Sequence, residues 1–191
     1  MDFSIINNLL SGVRFLESPN QSERSADTQI SLLVIHNISL PPGEYETGCI
    51  DQLFCNQLNE HDHPFFAEIA DLRVSAHVLI ARSGEITQYV PFDKKAWHAG
   101  ESHFCDVSDC NDFSIGIELE GTDFEEFTSS QYQSLIAISK LLIAQYPTIK
   151  PDRIVGHSDI APERKTDPGP HFDWRLFKSS FISGTETGIA K

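Results

Sequence analysis

Two histidines that end apolar runs and one aspartate in a proline-stiffened loop are the residues of this chain best suited to gripping a metal ion. His36 closes the run Ile30-Ser31-Leu32-Leu33-Val34-Ile35 just before a proline-rich loop, and His157 follows Arg153-Ile154-Val155-Gly156. Asp167 comes ten residues later in Lys165-Thr166-Asp167-Pro168-Gly169-Pro170, where two prolines of fixed φ limit how far the carboxylate can wander. Two imidazoles and one carboxylate make a catalytic zinc set: three protein ligands leave a fourth position for water, whose pKa falls from about 15.7 to near 7. Spacing alone does not decide the matter. Ligands 121 and 10 residues apart match no familiar zinc pattern, and each residue separately could serve a backbone group or a turn.

Glu118 lies in Ser114-Ile115-Gly116-Ile117-Glu118-Leu119-Glu120, where alternation puts the isoleucines on one strand face and Gly116, Glu118 and Glu120 on the other. Gly116 leaves space beside Glu118, so this carboxylate could take a proton from an activated water. Glu120 shares the face and is its rival, and an edge strand would turn both acids to solvent. Lys165 could set a cation beside a developing oxyanion.

These residues need a scaffold of strands and helices. Leu32 and Val34 share a face with His36 while Leu33 and Ile35 take the other, so residues 30–36 read as a strand buried on both sides, at the centre of a sheet. The segments 74–81 and 85–90 are rich in β-formers and split by Arg82-Ser83-Gly84, a hairpin. Apolar residues at 50, 53, 54 and 58 follow a helical period. Thr128 followed by Gln131 fits a capping box for a long helix that ends at Pro147, its apolar stripe running from Tyr132 through Leu135, Ile136, Ser139, Leu142 and Ile143 to Tyr146. Residues 153–157 make a last short strand and 173–181 a terminal helix. Strands interleaved with helices predict a single-domain α/β fold, a central mixed β-sheet flanked by α-helices. Residues 1–29 are expected to be an arm packed on the domain, 30–181 the catalytic domain and 182–191 a tail.

With 191 residues, 40% of them hydrophobic and 13 phenylalanines, the chain can bury a sizeable core and is no disordered acidic tail. Fourteen Lys and Arg against 28 Asp and Glu leave a charge of −14, which repels phosphate backbones and anionic lipid. No nucleic-acid or membrane partner is expected. Met1 to Asn8 lacks the basic start of a secretory signal, so a cytoplasmic protein is expected, and Cys49, Cys55, Cys105 and Cys110 are read as reduced thiols.

Five blocks then carry a resemblance: His36 to Gly43, Arg73 to His77, Trp97 to Gly100, Asn111 to Gly121 and Ile160 to Pro170. Together they resemble the cytoplasmic anhydromuramyl-L-alanine amidases of bacterial cell-wall recycling, within the type 2 amidase and peptidoglycan-recognition superfamily. The resemblance spans about Leu32 to Phe177. It implies one Zn2+ per chain on His36, His157 and Asp167, with Glu118 rather than Glu120 as the catalytic carboxylate and Lys165 beside the developing charge. It implies a small anhydromuropeptide substrate, cut between the lactyl group and L-alanine, with Asn37, Arg73, His77, Trp97 and Arg164 around it, in a monomer. A zinc-free peptidoglycan-binding module and a cysteine hydrolase are the competing classes. His61, His63, His98, His103 and His171 could form a different metal centre, but His61 and His63, in a polar loop, are read as adventitious or non-binding.

Overall fold

The computed structural model describes residues 3–181, and the expected tail at 182–191 lies outside the described residues. The chain opens with the strands β1 (Ile5–Ile6) and β2 (Leu9–Leu10), joined through Asn7 and Asn8 at φ 51° and 64°, a backbone region asparagine tolerates. Next come β3 (Arg14–Phe15), β4 (Gln21–Glu23) and β5 (Leu32–Ile38), then the short helices α1 (Cys49–Phe54) and α2 (Phe66–Ile69). β6 (Val78–Ile80) and β7 (Ile86–Gln88) form the expected hairpin. Its turn needs glycine, because Gly84 has φ +87° and a Cβ there would stand 2.9–3.0 Å from Ser130. β8 (Lys94–Ala96), β9 (His103–Phe104), β10 (Val107–Ser108) and α3 (Cys110–Phe113) lead into β11 (Ser114–Glu120). The long helix α4 (Ser129–Gln145), β12 (Ile154–Gly156), α5 (His157–Ile160) and α6 (Trp174–Ser179) complete the fold.

Six strands form one mixed sheet in the order β12-β5-β11-β6-β7-β3. β12, β5, β11 and β6 run parallel, and β6 and β7 are antiparallel. Parallel strands are usually covered on both faces, and all seven residues of β11 are buried. β11 is therefore no edge strand, and Glu118 and Glu120 do not point to open solvent. The fold class is the α/β one expected, a mixed sheet with helices on both faces.

α4 lies on one face. Thr128 and Gln131 form the capping box reciprocally, and Tyr132, Leu135, Ile138 and Leu142 pack with Leu33, Ile35, Ile115 and Ile117. Ile138 takes the buried place expected for Ile136, which is half-buried. Each fully buried Leu or Ile of this kind contributes roughly 1.5–3 kcal/mol. The opposite face packs Leu32 and Val34 against Ala99, Cys110, Val155 and Ile160, and Leu79 against Leu53, Phe54 and Phe66. The site lies on this second face.

Residues 3–29 do more than lie on the domain. β3 joins the sheet beside β7, and β4 pairs antiparallel with β8. Arg24 reaches beneath the site to donate to the carbonyls of Phe92, Asn111, Asp112 and Ser114. Cys49, Cys55, Cys105 and Cys110 are all free. Among the described residues no helix is long and apolar enough to cross a membrane.

Candidate metal centre and active site

Three parallel strands carry the candidate residues to the same end of the sheet, the carboxyl end where open α/β sheets place ligands. His36 lies near the end of β5, Glu118 sits opposite it in register on β11, and His157 opens α5 directly after β12. The carbonyl of Asp167 accepts from the Ser158 N–H at 3.0 Å, which ties its loop back to α5. His36 Nδ1 lies 3.0 Å from His157 Nδ1 and 3.0 Å from Asp167 Oδ2, and His157 Nδ1 lies 3.1 Å from the same oxygen. Among the described residues no other three His, Cys, Asp or Glu side chains converge this way; His61 and His63 are not part of such a group.

The donor chemistry fits a cation. The Ala99 carbonyl, which can only accept, lies 3.1 Å from His157 Nε2, so that nitrogen carries the proton and Nδ1 is a bare lone pair. His36 Nε2 faces His98 Nδ1 at 2.9 Å, and His98 Nε2 faces Ser114 Oγ at 3.1 Å. With protons on both Nε2 atoms, each of these contacts has one donor and one acceptor, and His36 Nδ1 is bare as well. Burial lowers the His36 pKa to about 4, so the ring is neutral at physiological pH. Burial alone would raise the Asp167 carboxyl, but the His157 and His36 rings beside it outweigh that and hold it below the usual range. Two lone pairs and a carboxylate within hydrogen-bond distance of one another match ligand atoms around tetrahedral zinc, which stand roughly 3.3 Å apart.

His98 is the residue that sequence reasoning missed as a neighbour of this group. Its ring fills the space that Gly116 opens on the face of β11, with a would-be Cβ only 2.4 Å from the ring. The space beside Glu118 is thus occupied by protein, and the Trp97-His98-Ala99-Gly100 block was the available signal.

Glu118 and Glu120, alike in the sequence, are separated by the structure. Glu118 is buried, borders the cavity and has one carboxylate oxygen, Oε2, without a partner. Burial, and then the Asp167 charge, push its carboxyl well above the usual range, while Lys165 pulls it down. Glu120 accepts from the N–H groups of Glu46 and Arg82 at 2.5 and 3.2 Å, so it anchors two loops and borders a different cavity.

The cavity beside the group encloses about 550 Å³, and Asn37, Trp97, Arg164 and Lys165 all line it. Asn37 donates to Asp123 at 2.7 Å, and Trp97 Nε1 donates to Ser22 at 3.2 Å. Two other predicted substrate contacts are elsewhere. Arg73 is exposed, donates to the carbonyls of Ala70 and Leu72, and is not in the cavity wall. His77 is fully buried outside that wall, its Nδ1 accepting from the Gly116 N–H at 3.1 Å and its Nε2 near the Lys94 carbonyl. Phe124, 84% exposed, stands at the rim and gives it an apolar edge.

A mixed α/β sheet with a His-His-Asp group and a buried glutamate at the ends of its parallel strands narrows the class, and comparison with known proteins settles it. The chain belongs to the N-acetylmuramoyl-L-alanine amidase family (Amidase_2), which matches residues 26–170. It is 59% identical over 166 residues to the 1,6-anhydro-N-acetylmuramyl-L-alanine amidase AmpD of Salmonella typhimurium strain SL1344, covering 87% of this chain and 88% of that one. With AmpD of Escherichia coli K12 the identity is 58% over 169 residues, 88% and 92% of the two chains. The crystal structure of a selenomethionine AmpD derivative superposes with a TM-score of 0.90 at 55% identity, over 92% of this chain and 98% of that one. A more distant structure, the amidase AmiD of E. coli with anhydro-N-acetylmuramic acid-L-Ala-D-gamma-Glu-L-Lys, gives 0.61 at 30% identity, covering 94% and 65%.

Proposed function

We propose that this protein hydrolyses the amide between the lactyl group of 1,6-anhydro-N-acetylmuramic acid and L-alanine of the stem peptide, as a zinc-dependent, monomeric, cytoplasmic enzyme of peptidoglycan recycling. The observation that carries the reading is the unpartnered Glu118 oxygen beside three converged donor atoms, in a chain closely similar to the AmpD amidases. A purely peptidoglycan-binding module has no use for a buried carboxylate left open, which costs free energy unless it does chemistry. A cysteine nucleophile is disfavoured because none of the four thiols lines this cavity.

An amide needs a strong nucleophile, charge stabilisation at the oxyanion and a proton for the departing nitrogen. A zinc ion held by His36, His157 and Asp167 would supply Lewis-acid activation of water and of the carbonyl. Glu118, its carboxyl pushed up by burial, accepts the proton of the attacking water and passes it to the alanine nitrogen as the C–N bond breaks. Lys165, on the cavity wall, places positive charge beside the oxyanion. Trp97 offers the sugar a flat face, and Asn37 offers polar atoms next to the metal group. Arg164 and Lys165 concentrate positive potential at the cavity in a chain whose overall charge of −14 would repel an acidic muropeptide. Arg73, outside the cavity wall, would meet only peptide that extends beyond it, and His77 would act from behind, through Gly116.

The test is to incubate the purified protein with anhydro and reducing muropeptides, with and without chelator, and to weigh the products. Free stem peptide and anhydromuramic sugar, lost with chelator and restored by zinc, are expected. Intact substrate with zinc present, or cleavage that survives full chelation, would overturn the reading.

A further inference from the structure

One short stretch of chain touches both candidate ligand histidines from behind. With the protons on the Nε2 atoms, His98 Nδ1 accepts from His36 Nε2 at 2.9 Å, and the next residue's carbonyl, Ala99 O, accepts from His157 Nε2 at 3.1 Å. The two imidazoles meet edge to face, their centroids 4.5 Å apart and planes at 75°. The two facing atoms belong to consecutive residues, so one short stretch of backbone sits against both rings.

The stretch is itself held by three further side chains. Asn111 Oδ1 accepts from the backbone N–H of His98 at 3.0 Å and from that of Ala99 at 2.8 Å, so one side-chain oxygen fixes both residues that face the rings. Arg164 Nη2 donates to the Ala99 carbonyl at 2.6 Å and to the Glu101 carbonyl at 2.8 Å. Ser114 Oγ, on β11, meets the far nitrogen of His98. Partners of this kind select the ring tautomer and aim the free nitrogen of a metal-binding histidine, and their loss weakens metal affinity by about 10–100-fold.

We infer that His98 and Ala99 form a single clip that fixes the tautomer and facing of His36 and His157 at once, and that Asn111 is the positioning residue that sets the clip. This rests on the metal role proposed above for the two histidines. Among the described residues no hydrogen bond joins Asn111 to the three donor atoms, and its side-chain oxygen reaches them through the clip.

The test uses the full chain with Asn111→Ala, Asn111→Asp, His98→Leu and His98→Asn. Zinc affinity is measured by competition with a chromophoric chelator, the visible spectrum is recorded after cobalt(II) loading, and ring tautomers are read from imidazole nitrogen shifts in metal-free protein. Asn111→Ala and His98→Leu should weaken zinc binding by about 10–100-fold and shift the cobalt bands. Asn111→Asp and His98→Asn, whose oxygens can replace the lost acceptors, should recover most of the affinity. In metal-free wild type both rings should carry the proton on Nε2, and Asn111→Ala should mix the tautomers. Should Asn111→Ala not fold, Asn111→Ser, too short to reach both N–H groups, replaces it. Folded variants with wild-type tautomers and zinc affinity within about twofold of wild type would overturn the clip. A wild type that binds no zinc would instead sink the metal reading, and the tautomers of the metal-free protein would then decide the clip alone.

Discussion

Gly116 and His98 are in such close contact that a methyl group at position 116 would stand 2.4–2.6 Å from three atoms of the imidazole. Gly116→Ala must therefore push the ring away from β11 or bend the strand, an overpacking that costs about 1–3 kcal/mol. The expected outcome is a lower melting temperature together with weaker retention of zinc during dialysis. An alanine variant that matches wild type in both measurements would show that the ring does not need this space.

Glu118 and Asp167 should fail in different ways. Glu118→Gln keeps the shape of the side chain but removes its proton acceptor, so zinc content should stay stoichiometric while kcat drops by about 10²–10⁴. Asp167→Ala should lose both zinc and activity. Metal analysis of the two variants beside their rates separates the roles, and retained turnover in Glu118→Gln would remove it as the proton acceptor.

Asp112 makes the seam between the N-terminal arm and the domain sensitive to pH. Its carboxylate accepts from the Ser25 N–H at 2.8 Å and from Thr28 Oγ1 at 3.0 Å, and Lys95 Nζ lies 3.2 Å away. Burial alone would raise its pKa, but these partners outweigh it and lower the value from 3.8 to about 2. A depressed carboxylate stabilises the fold fully above its unfolded pKa of 3.8, and that contribution fades as the pH falls through about 2. Asp112→Asn should be less stable than wild type at neutral pH, and the gap should close in acid. Urea titrations across that range check this, and a gap independent of pH would contradict it.

Leu135 is fully buried in α4, on the sheet face away from the cavity. Leu135→Ala should cost about 2–5 kcal/mol of stability. Chemical denaturation should show that loss, while kcat/KM of the folded fraction should hardly move.

Much of the scaffold was legible because it obeys local rules. The capping box of Thr128 and Gln131 fixed where α4 starts, and the alternation Ile115, Ile117, Leu119 marked β11. His36 and His157 stood out as histidines at the ends of apolar runs. What stayed hidden depends on segments distant in sequence. Period-two alternation cannot separate Glu118 from Glu120, since only the Glu46 and Arg82 N–H groups, brought in by other loops, occupy Glu120. The gap at Gly116 read as open space because nothing nearby in sequence announces that His98 fills it. β3, two residues long, is too short to show any periodicity, yet it pairs with β7 at the sheet edge.

The three donor atoms come from the first fifth of the chain and from its last fifth, so an ion shared among them would staple together segments that the unfolded polypeptide holds far apart. Folding and metal capture then become one linked equilibrium: at free zinc a hundredfold above its dissociation constant, the folded state gains about 2.7 kcal/mol. Supply of the metal would thus set how long each molecule survives as well as how fast it works.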